Sequence, residues 1–222
     1  MYPTLRRKAH LALGVLSQQR SHRSVYSDSP PRLVFPCPRL LLCYAFPAMV
    51  EIPSYFQRLL TAEQLTARVR EIAAQISGDY TGRDLHLVGV LRGATTFLAD
   101  LSREMTIPLT YDFIAVNSYE STTTSGVVKL VKDLEENVES RHILVVEDIV
   151  DSGLTLNYIR EMLQSRKVAS LALCALLDRP HRRKVSLKLD YVGFTIPDKF
   201  VVGYGLDFEQ KWRQLPDIWA IN

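Results

Sequence analysis

The sequence predicts one α/β domain, built on a mainly parallel, twisted sheet with helices on both faces. From about residue 51 onward, short apolar runs alternate with amphipathic helical patterns. The length of 222 residues suffices for a substantial core, and the hydrophobic content of 47% is ordinary for a globular protein. In such sheets ligands gather at the carboxyl ends of the strands. The residues that follow each strand are therefore the first candidates for a functional site.

The first 48 residues have a different composition, rich in proline, serine and arginine and without clean periodicity. Residues 1–50 hold seven basic residues and one acid. This bias is typical of an organelle transit peptide, but a misassigned upstream start codon would also explain it, with Met49 as the true start. We expect residues 1–48 to be a disordered or targeting extension and residues 49–222 to form the domain. The location is cytoplasmic unless the extension is a genuine transit peptide.

Composition argues against several classes of function. Beyond residue 50 the chain has 20 basic and 23 acidic residues, so its charge offers no case for nucleic-acid binding. The three cysteines form no CxxC pair, which disfavours a disulfide framework or structural zinc, and Cys174 fits a small core residue. No apolar run approaches the ~20 residues of a membrane span, so we expect no membrane partner.

The first half of the domain reads as helix, strand, helix and strand. An amphipathic helix is predicted to begin near Thr61 and to end near Gly78, because apolar residues recur at helical spacing: Leu65, Val69, Ile72 and Ile76. Residues 86–91 form a buried strand, and residues 97–105 form a helix that Pro108 stops. Residues 109–116 form the next strand.

The second half begins with a polar stretch over residues 118–126, which we interpret as a mobile loop. Residues 127–132 and 143–146 read as strands, and residues 154–163 as a helix. Further strands are predicted for residues 168–177, 191–196 and 200–203.

The most informative stretch is residues 143–155, in which an apolar strand runs into Glu147 and Asp148, and a short turn then opens a helix. Backbone N–H groups at such a turn can hold a phosphate, and Ser152 and Thr155 add hydroxyl donors. Gly153 permits a positive φ, while the two carboxylates suit sugar hydroxyls or a hydrated divalent cation. Each residue alone could belong to a solvated strand end, but the length of the whole string favours a functional site.

This string resembles the phosphoribosyl-pyrophosphate (PRPP) signature of the type I phosphoribosyltransferases. The resemblance implies that Glu147 and Asp148 hold the ribose hydroxyls. It also implies that the turn cradles the 5-phosphate through Asp151, Ser152, Gly153, Leu154 and Thr155. A carboxylate at Asp151 is typical of the hypoxanthine-guanine branch, in which it would be the catalytic residue and would accept the N7 proton of the base.

Residues 194–207 resemble the purine-recognition segment of the same branch. The resemblance implies that Lys199 donates to O6 of a 6-oxopurine base, that Phe200 stacks on the ring and that the main chain at Val201 addresses the other base edge. Asp207 would join Glu147 and Asp148 in holding Mg²⁺. Without the longer match, Lys199 would be interpreted as a surface lysine.

Other positions carry over from the family. Arg92 and Gly93 match a pyrophosphate-binding loop that often has a cis peptide, and Arg213 matches a second pyrophosphate contact. Arg179 stands where the family usually has a lysine near the base. The polar stretch corresponds to the loop that closes over the active site, opened by Ser118 and Tyr119.

The resemblance implies a type I phosphoribosyltransferase fold, with a small hood formed by the N- and C-terminal segments. It also implies a Mg²⁺-dependent homodimer or homotetramer that converts PRPP and hypoxanthine or guanine into IMP or GMP and pyrophosphate. The wording of the motifs is bacterial. A xanthine-preferring enzyme and a nucleotide-sensing regulator remain as alternatives on the same fold. The basic cluster over residues 179–184 is interpreted as a solvated turn.

Overall fold

The computed structural model describes residues 50–121 and 124–221, without the side chains of residues 118–128. The predicted extension over residues 1–48 lies outside the described residues. Glu51 begins the compact unit that contains every described element. In chain order these elements are β1 (Phe56–Leu60), α1 (Ala62–Asp79), β2 (Leu85–Leu91), α2 (Thr95–Glu104), β3 (Leu109–Ser121), β4 (Thr124–Lys132), β5 (His142–Val150), α3 (Leu154–Gln164), β6 (Ser170–Asp178), β7 (Tyr191–Thr195), β8 (Phe200–Val202) and β9 (Ile218–Ile221).

The main sheet has six strands in the order β4-β3-β2-β5-β6-β7. All neighbours are parallel except β3 and β4, which confirms the predicted mainly parallel sheet. Helices α1 and α2 pack together on one face, and α3 contacts β4 and β6 from the other face. Successive residues of β5 alternate between the two cores, with Leu144 facing the first and Val145 the second.

Helix α1 begins where it was predicted to begin, with Thr61 as its N-cap residue. The Thr61 hydroxyl accepts from the backbone N–H of Gln64 at 3.3 Å, while the Gln64 side chain accepts from the backbone N–H of Thr61 at 2.9 Å. This capping box satisfies backbone donors that the first helical turn leaves free. The predicted core position of Cys174 is also confirmed, since its thiol is buried in the first core.

A second, antiparallel sheet is formed by β1, β9 and β8. It joins segments close to both ends of the domain, as the hood expected from the resemblance requires. Strand β8 belongs to this sheet and not to the main one, and the sequence analysis identified neither β1 nor β9. Both are short, with five and four residues, so neither contains enough periodicity to be recognised alone.

Two predictions about the strands are wrong. Within the stretch predicted as a loop, residues 118–121 and 124–126 are strand, because β3 continues to Ser121 and pairs with β4, Ser118 lying opposite Val128. The apolar strand predicted over residues 143–146 continues through the carboxylates to Val150. In both places pairing with a neighbouring strand extends an element past the point where its apolar pattern stops. No helix in the described parts of the chain is long and apolar enough to cross a membrane.

Candidate active site

A cavity of about 250 Å³ opens where the carboxyl ends of β5 and β6 meet the loop that follows β8. Its lining brings together residues from distant parts of the chain: Asp148, Ile149, Asp151, Arg179, Arg182, Phe200, Val201, Leu206 and Asp207. Three of these residues, Ile149, Arg182 and Leu206, were not predicted from the sequence. Ile149 lies within the string over residues 143–155. Arg182 belongs to the basic cluster over residues 179–184, which was interpreted as a solvated turn.

A smaller recess of about 110 Å³ shares Ile149 and Asp151 with this cavity and includes the turn before α3. Gly153 has a φ of 78° and lies immediately before the helix. The Ser152 hydroxyl accepts from the backbone N–H of Leu154 at 3.4 Å. The first N–H groups of a helix have no acceptor within it, so this turn presents donors and a positive dipole end to an anion. The recess is therefore suited to a phosphate group.

The carboxylates of Glu147 and Asp148 lie at this edge with little compensating charge. Burial and then the neighbouring charge of Asp148 raise the pKa of Glu147 well above its ordinary value, and one Glu147 oxygen is buried without a hydrogen-bond partner in the described structure. Burial raises the pKa of Asp148 to about 6, although the backbone N–H of Ile149 donates to it at 2.9 Å. Paired carboxylates in this state are suited to receive hydroxyl donors or a cation.

Two glycines allow three chain segments to converge on Asp148. The peptide bond between Leu91 and Arg92 is cis, which confirms the expectation for this loop. A Cβ atom on Gly93 would lie 1.6 Å from the Asp148 carboxylate. Gly205, with a φ of 102°, approaches so closely that its Cβ would lie 2.3 Å from the carbonyl oxygen of Gly93. A side chain at either position would push the loops away from the carboxylate.

Arg92 and Arg213 are both tied to the loop that follows Gly205. Arg213 donates to the carbonyl oxygen of Gly205 at 2.6 Å and pairs with Asp207 at 2.5 Å. Arg92 donates to the side chain of Gln210 at 2.8 Å, and the backbone N–H of Gln210 donates to Asp207 at 2.9 Å. The structure thus links two predicted pyrophosphate contacts to a predicted metal ligand.

On the base side, Asp151 pairs with Arg179, whose guanidinium Nε lies 3.1 Å from the carboxylate. Phe200 is 47% exposed at the mouth of the cavity, while Val201 is buried. The edge of Phe208 packs against Phe200, with 5.6 Å between the ring centroids. An exposed aromatic face beside a charged wall is suited to a flat, polar ring.

Lys199 immediately precedes Phe200, and its ammonium donates to the side chain of Gln57 on β1 at 3.0 Å. It is absent from the described cavity lining, so its contact with O6 stays a prediction. Arg179 is the basic side chain from the predicted base site that lines the cavity. The side chains of Ser118 and Tyr119 lie outside the description, so their roles stay predictions.

The residues at the site fit a magnesium ion that arrives with its substrate. Within residues 50–121 and 124–221, no three His, Cys, Asp or Glu side chains are gathered closely enough to hold a metal ion alone. Mg²⁺ is commonly held by one or two carboxylates together with substrate phosphates. Asp148 and Asp207 line the same cavity, and one buried oxygen of Glu147 has no hydrogen-bond partner among the described residues.

Comparison with known proteins gives a consistent result. A family model described as the phosphoribosyl transferase domain matches residues 57–209. The chain is 46% identical over 171 residues to a hypoxanthine-guanine phosphoribosyltransferase of Mycobacterium bovis, covering 74% of this chain and 85% of the relative. It is 46% identical over 165 residues to the Bacillus subtilis protein of that name, covering 74% and 92%. A crystal structure of a Staphylococcus aureus hypoxanthine phosphoribosyltransferase superposes with a TM-score of 0.73 at 44% identity, covering 75% of this chain and 91% of that one.

Proposed function

This chain belongs to the phosphoribosyltransferase family, and we propose that it is a purine-salvage enzyme that acts on hypoxanthine and guanine. It transfers the 5-phosphoribosyl group of PRPP to the base, which gives IMP or GMP and pyrophosphate. The observation that carries the proposal is the cavity at the carboxyl ends of β5 and β6. There a phosphate-binding turn, uncompensated carboxylates and an exposed aromatic ring lie side by side.

The reaction breaks the bond between the anomeric carbon and pyrophosphate and forms a bond from that carbon to N9 of the base. The turn before α3 holds the 5-phosphate and so fixes the sugar. Arg92 and Arg213 stabilise the negative charge that develops on the departing pyrophosphate. Asp151 accepts the N7 proton as N9 attacks, which keeps the base from carrying a positive charge.

Magnesium is the proposed cofactor, with Asp207, Asp148 and Glu147 as its candidate protein ligands. When bound, Mg²⁺ would neutralise pyrophosphate oxygens and so make pyrophosphate a better leaving group. The protein contribution is to hold these carboxylates close to Arg213, which pairs with Asp207.

Base selection depends on the wall formed by Arg179, Phe200 and Val201. Phe200 stacks on the purine, and the main chain at Val201 addresses its edge. O6 accepts from a basic side chain, a role that was predicted for Lys199 and for which Arg179 has the better position in the cavity. Adenine presents an amino group where O6 would lie, so two donors would face each other and binding would be disfavoured.

We also propose a cytoplasmic homodimer or homotetramer, as in the family that the motifs resemble. Light scattering coupled to size-exclusion chromatography measures the assembly. A monomer at micromolar concentration would contradict it.

The deciding experiment measures product formation from PRPP and Mg²⁺ with hypoxanthine, guanine, xanthine and adenine in parallel. We expect IMP and GMP, no product from adenine, and loss of all activity with excess EDTA. Activity on xanthine alone would keep the chemistry and change the substrate. Tight nucleotide binding without turnover on any base would favour a regulator and reject the proposed enzyme.

A further inference from the structure

Asp151 lies at one end of a row of four alternating charges, three of which, Asp151, Arg179 and Arg182, line the cavity. Nε of Arg179 lies 3.1 Å from the Asp151 carboxylate, and Nη1 of Arg179 lies 3.7 Å from the carboxylate of Asp198. The same Asp198 oxygen accepts from Nε of Arg182 at 2.5 Å. Two cations and two anions therefore balance within the row, and the fork of Arg179 reaches both carboxylates.

The position of the Arg179 backbone is fixed, so its two carboxylate neighbours decide how the guanidinium lies. The backbone N–H of Arg179 donates to Val150 at 3.0 Å, and its carbonyl accepts from Arg182 at 3.2 Å. The side chain is only 3% exposed. A buried guanidinium requires compensating negative charge, because water no longer stabilises it.

The contact between Arg179 and Asp151 is close but does not meet hydrogen-bond geometry. Both the Nε atom and the facing Asp151 oxygen are buried without a hydrogen-bond partner in the described structure. The Arg179 guanidinium thus lies within ion-pair distance of two carboxylates, and in the described structure its Nε forms a hydrogen bond with neither. The guanidinium presents separate nitrogens, Nε and Nη1, to the two carboxylates in a fixed planar geometry, so arginine is not equivalent to lysine here.

From this arrangement we propose that Asp198 is a positioning residue for the transfer reaction. By sharing Arg179, Asp198 leaves Asp151 available to accept the N7 proton of the base. Without the charge of Asp198, two guanidinium groups would be balanced by Asp151 alone. Asp151 would then be drawn into a tight pair with Arg179 and would be a poorer proton acceptor. The inference rests on the proposed function, since it concerns the step in which Asp151 acts.

The first test is Asp198→Asn, which keeps the size of the side chain and removes its charge. The variant should fold, because Asp151 still compensates the buried guanidinium of Arg179 and the pair between Asp198 and Arg182 is about half exposed. We expect kcat to fall by about ten- to a hundredfold, as for a misplaced catalytic group, while KM for PRPP stays within about twofold. Asp84→Asn is the matched control, because Asp84 pairs with Arg141 at 2.9 Å just before β2 and not in the cavity lining. Its kcat should match wild type.

A double-mutant cycle separates positioning from general damage. If Asp198 acts through Asp151, then Asp198→Asn should cause no further loss of kcat in an Asp151→Asn background. Losses that multiply in the double variant, or an Asp198→Asn enzyme with wild-type kcat, would overturn the inference and leave the proposed function intact. Absence of turnover by the wild-type enzyme in the same assay would reject the proposed function, and the inference with it.

Discussion

Carboxylates at the two ends of the main sheet lie in opposite electrostatic environments. At the amino end, a hydrogen bond from Arg141 holds the pKa of Asp84 below its usual range. At the carboxyl end, burial raises the pKa of Glu147 well above its usual value and that of Asp148 to about 6. The described part of the sheet therefore pairs Asp84 with an arginine at one end and buries Glu147 and Asp148 at the other, where burial outweighs the groups that stabilise their charge.

The difference separates acids that serve the fold from acids that serve a ligand. An arginine partner makes the charged form of Asp84 favourable in the folded protein. Glu147 and Asp148 instead destabilise the folded protein when charged, and a bound cation or hydroxyl donors from a ligand would offset this cost. Such perturbed groups cluster at functional sites. Substitutions that remove a carboxylate charge at either end test this difference.

The largest effect is expected for Asp151→Asn, which keeps the shape of the side chain and removes the proposed proton acceptor. We expect kcat to fall by roughly 10²–10⁴, the range for general acid–base catalysis. The turn before α3 should still bind the 5-phosphate, so the Kd for PRPP should change little. Steady-state kinetics with hypoxanthine and calorimetry with PRPP measure the two quantities. A variant with near wild-type kcat would remove Asp151 from the chemistry.

The next effect concerns the pH dependence of Mg²⁺·PRPP binding. A carboxylate must lose its proton before it can hold a cation, so wild-type affinity should rise with pH until it passes about 6, by at most roughly tenfold per unit. The phosphates of PRPP also titrate in this range. Asp148→Asn retains the titration of PRPP and of Glu147, so the two pH slopes, measured by calorimetry, should differ by the share of Asp148. Identical slopes would show that Asp148 takes no part.

Local chemistry could be predicted from the sequence wherever neighbouring residues determine it. The helix start at Thr61, the turn at Gly153 and the strand that runs into Asp148 are determined locally, and each lies where predicted. The position of Lys199 was not predictable, because its partner Gln57 is 142 residues away along the chain. The same holds for Arg182, whose place in the cavity depends on Asp198 in another segment.

The strand predictions failed where pairing, rather than an apolar pattern, determines structure. The backbone of Ser118 lies opposite Val128 in an antiparallel pair, although the stretch between them is polar. Strands β1 and β9 pair across most of the length of the domain, Phe56 lying opposite Ile221. Such contacts between distant segments leave little trace in a single sequence.

A smaller effect, of opposite sign to most substitutions, is expected for the stability of Asp148→Asn. A folded-state pKa raised to about 6 means that the charged carboxylate destabilises the fold above that pH, and that the penalty disappears as pH falls toward 3.8. The variant should therefore be more stable than wild type at pH 7.5, by about 1–3 kcal/mol, and gain little at pH 4. Urea unfolding without ligands tests this. Destabilisation at pH 7.5 would mean that Asp148 serves the fold after all.

The smallest effect is expected at the other end of the sheet, for Asp84→Asn. Its pKa is lowered, so the pair with Arg141 contributes stability above pH 3.8 and loses it as pH falls through the folded-state value. The Asp84 side chain is 68% exposed, so solvent screens the pair and the loss at pH 7.5 should stay below about 1 kcal/mol. High salt should shrink this loss further, because dissolved ions screen an exposed ion pair. Urea unfolding of this variant beside Asp148→Asn tests the comparison directly: substitutions of the same chemistry should change the free energy of unfolding in opposite directions. A gain in stability for both would mean that the two ends of the sheet do not differ as their surroundings indicate.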